Sequence, residues 1–210
     1  MQKIYLKYPE ITELKANIVS RRAQDNYTQI ILDRTIFMAE TFGFLKDFGS
    51  ISDLEIVSIE EKRDNIIHTV KGRPQKSEVI LKLNDKNRIK NLAYNTAFII
   101  FELVFTSFYQ AKDLKLTITE DRSVIKIADF YDNFDKSLIE NQINFIIEKA
   151  LKIDNKQGIT SIAPLGEVIN NEICFDNTAK VRGFKISEIE SYGNDLELEF
   201  IAGRDIIILY

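Results

Sequence analysis

The stretch Asn84-Asp85-Lys86-Asn87-Arg88-Ile89-Lys90-Asn91-Leu92-Ala93-Tyr94-Asn95-Thr96-Ala97-Phe98-Ile99-Ile100-Phe101-Glu102-Leu103-Val104-Phe105-Thr106-Ser107-Phe108 is where the pattern of the chain changes. Before it, apolar and polar residues alternate. Inside it, Ile89, Leu92 and Ala93 come at helical spacing, and from Ala97 onward the residues are apolar nearly all round. Asn84 and Asp85 are both good N-caps. A helix is therefore predicted from Asp85 to about Tyr109, buried at the centre of a domain because it has no polar face to show water.

Upstream, alternating stretches at Leu14–Val19 and Tyr27–Leu32 flank the polar turn Gln24-Asp25-Asn26. A second pair, Leu54–Ile59 and Ile66–Val70, flanks Arg63-Asp64-Asn65, and Glu78–Leu83 follows. Short strands at this spacing predict a small β-barrel or a strongly bent sheet. Downstream come a hairpin at Leu114–Thr119 and Val124–Ala128, and a second helix capped by Asp135 with an apolar stripe through Leu138, Ile139, Ile143, Ile146 and Ile147. An irregular stretch, Asp154–Asn177, precedes a hairpin at Phe184–Glu190 and Leu196–Ala202 and a last strand at Asp205–Tyr210. The fold class expected is α+β: a β-barrel-like subdomain over residues 1–84, then a subdomain over 85–210 with the long buried helix on an antiparallel sheet. The boundary is expected between residues 72 and 85, around Gly72-Arg73-Pro74.

Composition narrows the function. The chain of 210 residues is 45% hydrophobic and 29% charged with a net charge of −4, which excludes disorder and a strongly cationic nucleic-acid coat but not a local basic patch. A single cysteine, Cys174, excludes an internal disulfide, and a single histidine, His68, excludes a His-rich zinc site within the chain. The first residues lack the apolar stretch of a signal peptide. The run Ala97 to Phe108, interrupted by Glu102, is shorter than a membrane span. A soluble, cytoplasmic protein is expected, with no membrane partner.

Three segments carry a resemblance. Leu32-Asp33-Arg34-Thr35-Ile36-Phe37-Met38-Ala39-Glu40-Thr41-Phe42-Gly43-Phe44-Leu45-Lys46-Asp47-Phe48-Gly49 resembles, without a gap, the signature L-D-x-T-x-F-Y-P-E-G-G-G-Q-P-x-D-x-G of alanyl-tRNA editing domains. Leu83, Arg88, Thr96 and Ala97 fall in register with that family's I-D-W-x-R-R and M-R-x-H-T-A-x-H. Ile139-Glu140-Asn141-Gln142-Ile143-Asn144 is similar to its I-E-x-x-V-N, and His68 to the I-V-H that closes the barrel hairpin.

The resemblance implies hydrolysis of mischarged Ser- or Gly-tRNA of the alanine type, by a zinc ion held by H-x-x-x-H on the long helix and by C-x-x-x-H downstream. Here the two helical positions are Asn95 and Ile99. Downstream, the register places either Cys174 and Thr178, or Phe175 and Ala179, at the ligand positions. At most one ligand type survives, so zinc is predicted absent and no catalytic residue is assigned. Thr41-Phe42-Gly43-Phe44 replaces G-G-G-Q, which predicts a pocket filled by bulky apolar groups. The vestigial pocket then comprises Thr35, Glu40, Phe44, Asn95, Thr96, Ile99 and Cys174.

Other readings stand beside these. His68, between Ile67 and Thr69 on a strand, reads as a structural side chain rather than a catalytic one. Cys174 reads as a small buried hydrophobe, with a vestigial ligand or a nucleophile as the alternative. Asn95 and Thr96 either line a remnant cavity or bond backbone and water. Lys86, Arg88 and Lys90 are the candidate contacts to a tRNA acceptor stem, the alternative being an ordinary solvated helix start. The expected function is an inactive alanyl-tRNA-editing-like protein, or a tRNA-acceptor or protein-binding module without catalysis.

Overall fold

The protein's structure, a computed structural model, describes residues 1–130, 133–156 and 158–209. It divides into two units, Met1–Ile89 and Lys90–Tyr210, so the division falls inside the predicted long helix rather than ahead of it. The physical reason is that the first turn of that helix is bonded into the first unit, as described below.

The first unit contains β1 (Gln2–Lys3), β2 (Glu13–Gln24), β3 (Tyr27–Leu32), β4 (Arg34–Thr35), β5 (Phe48–Ile51), β6 (Leu54–Lys62), β7 (Asn65–Lys71) and β8 (Glu78–Asn84). The pairings run β2-β3-β7-β6-β5-β8 and return to β2. β2 serves two neighbours because it bends: residues 13–17 pair with β8, and from Ile18 onward the strand pairs with β3, with an irregularity between Ile18 and Ser20. Strand alternation turns Ile30, Leu32, Ile66, Val70, Val79 and Leu81 inward, all buried. Arg63 and Asp64 both take positive φ, 49° and 65°, the geometry a two-residue hairpin loop needs to match the strand twist. The β1–β4 pairing and β5 were not foreseen, since two- and four-residue strands are too short to show a period.

α1 (Asp85–Phe108) begins where the pattern breaks. At 24 residues it is long and apolar enough to cross a membrane, contrary to the expectation from the interrupted run, but 67% of its most apolar window is buried inside the protein. It is a core helix. In the second unit follow β9 (Lys112–Ile118), β10 (Ser123–Ala128), α2 (Lys136–Glu148), β11 (Asp154–Lys156), β12 (Ile159–Ile162), β13 (Gly166–Ile169), β14 (Phe184–Tyr192) and β15 (Asp195–Ala202). An antiparallel sheet runs β14-β15-β10-β9. Against it α1 lays Tyr94 on Phe200 (ring centroids 5.1 Å apart) and Phe101 on Phe184 (6.1 Å). The mixed α+β class is therefore observed.

Two expectations in this unit are corrected. The irregular stretch holds a small sheet, β11-β12-β13, whose strands of three and four residues give no usable alternation. The last strand is instead a 3₁₀ helix, Gly203–Leu209, with Tyr210 outside the described residues. A short apolar run such as Ile206-Ile207-Ile208-Leu209 suits either element. Gly203, at φ +71°, turns the chain off β15 and leaves no room for a Cβ, which would lie 2.8 Å from that of Ala93.

α2 shows how one motif acts. Asp135 caps it, Oδ1 accepting from the Leu138 N–H at 3.0 Å, and Ile139, Ile143, Ile146 and Ile147 are buried. From the next stripe, Glu140 Oε1 accepts from the Ile186 N–H (2.7 Å), while the Asn144 amide donates to the Phe184 carbonyl (2.8 Å) and accepts from its N–H (2.9 Å). β14 is an edge strand, and these two side chains complete its ladder. Asn144→Ala strands both groups of Phe184. The expected cost is about 2 kcal/mol, read as a lower urea midpoint at unchanged slope.

Candidate functional site

In the first unit, Thr35, the expected pocket residue, is fully buried and committed to structure. Its Oγ accepts from the Phe37 N–H (3.0 Å) and lies 2.9 Å from His68 Nε2. His68 Nδ1 lies 3.4 Å from the Ile30 carbonyl, which can only accept. The proton is therefore on Nδ1, and Nε2 accepts from the Thr35 hydroxyl. Both ring nitrogens are used, the ring is wholly buried, and that burial holds its pKa down to about 4. His68 is a neutral strut between β3 and β7.

Asp47 and Arg88 form the most polar point of this unit, and both are buried. Arg88 Nε donates to Asp47 Oδ1 at 3.2 Å, and Nη2 donates to Asp47 Oδ2. Nη1 donates to the Pro9 carbonyl and Nη2 also to the Ile36 carbonyl, each at 2.8 Å, and the guanidinium carbon lies 5.9 Å from the Tyr5 ring centroid. Asp47 Oδ2 also accepts from the Met38 N–H at 2.8 Å. Next to Arg88, the Asn87 amide donates to the Lys46 carbonyl at 2.9 Å. Arg88 is thus no contact for tRNA phosphates. Four of its five N–H donors go to one carboxylate and two carbonyls, and the side chain is fully buried. Lys86 is exposed; Lys90, in the second unit, donates to the Glu120 carbonyl (3.1 Å) and lies 3.8 Å from Asp205.

The segment expected to fill a pocket does not do so with Phe42. Phe44 N–H donates to the Thr41 carbonyl (3.2 Å), Gly43 takes φ +84°, and the turn so formed leaves Phe42 97% exposed. Phe44 is half-buried. Glu40 is exposed, its backbone N–H bonded to the Ile59 carbonyl at 3.0 Å.

In the second unit the positions expected to have lost zinc ligands carry an amide and hydroxyl network. Asn95 Nδ2 donates to the Ile173 carbonyl (2.9 Å) and to Asn170 Oδ1 (3.2 Å). Asn170 Nδ2 donates in turn to Thr160 Oγ1 (3.1 Å) and the Glu172 carbonyl (2.9 Å). Thr96 Oγ1 donates to the Leu92 carbonyl (2.6 Å) and accepts from the Phe175 N–H (2.9 Å). Asn155 Nδ2 lies 3.6 Å from Cys174 Sγ, and burial pushes the Cys174 thiol pKa up. Thr178, the other residue of one register, donates to the Ile146 carbonyl and accepts from the Leu151 N–H, both at 2.9 Å. Ile99 is buried and apolar.

Zinc takes imidazole nitrogen and thiolate sulfur. This set offers amide N–H groups already aimed at carbonyls and one thiol held away from its thiolate form, so it does not fit that ion. Among the described residues no group of three or more His, Cys, Asp and Glu is arranged to hold a metal. Asn155, Thr160 and Asn170 escaped sequence reasoning because they lie in the stretch without a period. Their one signal was a density of asparagines.

No family model matches the chain. Among curated proteins, the alanyl-tRNA editing protein AlaX-L of Pyrococcus horikoshii is 30% identical over 135 residues, 60% of this chain and 33% of that protein. The alanine–tRNA ligases of Methanococcus maripaludis and Methanococcus vannielii are 30% and 33% identical over 97 residues, 45% of this chain and 10% of each ligase. The chain is similar to the alanyl-tRNA editing family. It spans about a third of the AlaX-L protein and a tenth of the ligases.

In this chain, the residues that carry the resemblance hold one another. Asp47 of the first segment pairs with Arg88 of the second, Thr35 with His68, and Glu140 and Asn144 with β14. Asp33 Oδ1 accepts from the Asn17 N–H at 2.8 Å. A Cβ on Gly49 would meet the Lys82 carbonyl and the Phe37 ring, the latter at 2.8 Å, so only glycine fits there.

Proposed function

We propose that the chain is an alanyl-tRNA-editing-like protein that has lost the family's zinc site and does not hydrolyse mischarged alanine-type tRNA by the zinc route. The ring of strands in the first unit is read as the family's small barrel. What carries the reading is Asn95: at the position where the family has its first helical histidine, an amide points an N–H, not a lone pair, at the Ile173 carbonyl. A metal in that place would meet a donor hydrogen. The function left to such a chain is binding, with the tRNA acceptor as its partner and without catalysis.

The test is zinc content of protein purified from zinc-replete medium, together with deacylation of serine- and glycine-charged alanine tRNA. Well under one zinc per chain is expected, with hydrolysis at the rate of the free ester. One zinc per chain that is lost on Cys174→Ser, or deacylation above that background, overturns the proposal.

A further inference from the structure

We propose that the outer face of β2, β3 and β7, around Arg22, Tyr27 and Lys71, is the surface of this chain that binds an RNA phosphate backbone. The proposal rests on the reading above that tRNA is the partner, and it places the contact away from the helix start where Arg88 is buried.

The register builds the face. Arg22 lies opposite Gln29 and Gln24 opposite Tyr27 across β2–β3; Tyr27 lies opposite Lys71 and Gln29 opposite Thr69 across β3–β7. Paired residues share a face, and the intervening Thr28 and Ile30 are buried inside, so Arg22, Gln24, Tyr27, Gln29, Thr69 and Lys71 stand on the outside. Arg22 and Lys71 are diagonal across β3, about 12 Å apart by strand spacing and rise. The exposed ring of Tyr27 and the amides of Gln24 and Gln29 lie between or beside them.

Charge points the same way. Residues 20–29 and 69–77 carry five cations, Arg21, Arg22, Lys71, Arg73 and Lys76, and one carboxylate, Asp25, in a chain of net charge −4. The hairpin tip holds the two segments together, since the Gly72 N–H donates to the Asn26 carbonyl (2.7 Å) and Arg21 Nη1 to the Pro74 carbonyl (3.3 Å). Elsewhere in this unit Lys3, Lys62 and Lys82 are each neutralised by a carboxylate at 2.6, 2.7 and 3.3 Å, while Lys7, Lys15, Lys46, Arg63 and Lys86 are unpaired with a carboxylate but not gathered on one such face. Among the described residues, Arg22, Lys71 and Arg73 have no such partner. Unpaired cations around an exposed aromatic and several amide and hydroxyl groups match what an RNA backbone offers: phosphates, ribose hydroxyls and a base face.

The experiment is binding of an alanine-tRNA transcript to the whole chain from 50 to 200 mM salt. Arg22→Glu combined with Lys71→Glu is expected to weaken binding by at least about tenfold and to flatten the log–log salt dependence by about 2. Lys86→Glu should change affinity by less than about twofold, as expected for a charge off the contact. Melting temperatures check that the variants fold, and Arg22→Ala with Lys71→Ala gives the same ordering without adding negative charge. If the wild type binds and the Arg22/Lys71 variants bind equally well, or Lys86→Glu is the one that fails, this surface is wrong while the tRNA reading stands. If the wild type binds no transcript at 50 mM salt, both fall.

Discussion

Alanine at position 47 is expected to remove a large share of the stability of the first unit. Asp47→Ala leaves the Arg88 guanidinium fully buried with no counter-charge, and it also strands the Met38 N–H. Breaking one partner of a buried pair costs about 3–5 kcal/mol, a large share of the 5–15 kcal/mol that a domain commonly has. Removing the cation as well, in Asp47→Leu with Arg88→Met, should recover part of the loss. It cannot recover all of it, because the Pro9 and Ile36 carbonyls lose their donors. Urea unfolding of the single and double variants measures both quantities. A loss below about 1 kcal/mol for Asp47→Ala would show that water or a relaxed backbone reaches Arg88.

Acid should destabilise the protein through His68. Its folded pKa of about 4 lies below its ordinary 6.5, so the unfolded chain takes up the proton first. The stability associated with a neutral His68 is complete above the unfolded value. It is lost as pH falls from about 6.5 toward 4, and by then the loss amounts to roughly 3 kcal/mol. Glu102 and Glu172, whose pKa values burial raises, act with the opposite sign at the lower end of this window. The difference between wild type and His68→Gln isolates the histidine. Denaturant midpoints at pH 7.5, 6, 5 and 4 should fall more steeply for wild type than for the variant. Parallel curves would mean that the ring is protonated in place, with Thr35 Oγ turned to accept.

Much of the fold was legible because long alternating runs and one long apolar run have only one economical reading. The strand of residues 27–32, the helix from Asp85 and the Asp135 cap followed from local chemistry alone. What was not legible depended on partners distant in sequence. Arg88 looks like a surface cation beside Lys86 and Lys90, and only the approach of Asp47, Pro9 and Ile36 makes it a buried one. Phe42 looks like a pocket filler by replacing a glycine, yet the turn at Gly43 carries it into solvent. The Asn95–Asn170 network could not be read because Asn170 sits in a stretch of very short strands. The signature was legible, and its matched residues brace the frame.

The Asp47–Arg88 pair also sets an order for chain growth. A polypeptide emerging from its N-terminus has made all of β1 to β8 by Asn84, and every strand of the ring is then present. Asp47 still has no cation. Arg88 comes four residues later, already wound into the first turn of α1. Until that turn has left the ribosome, closing the ring would entomb a bare carboxylate. A fragment ending at the strand–helix junction, the natural-looking place to cut, therefore stops short of the residue that makes its own interior neutral.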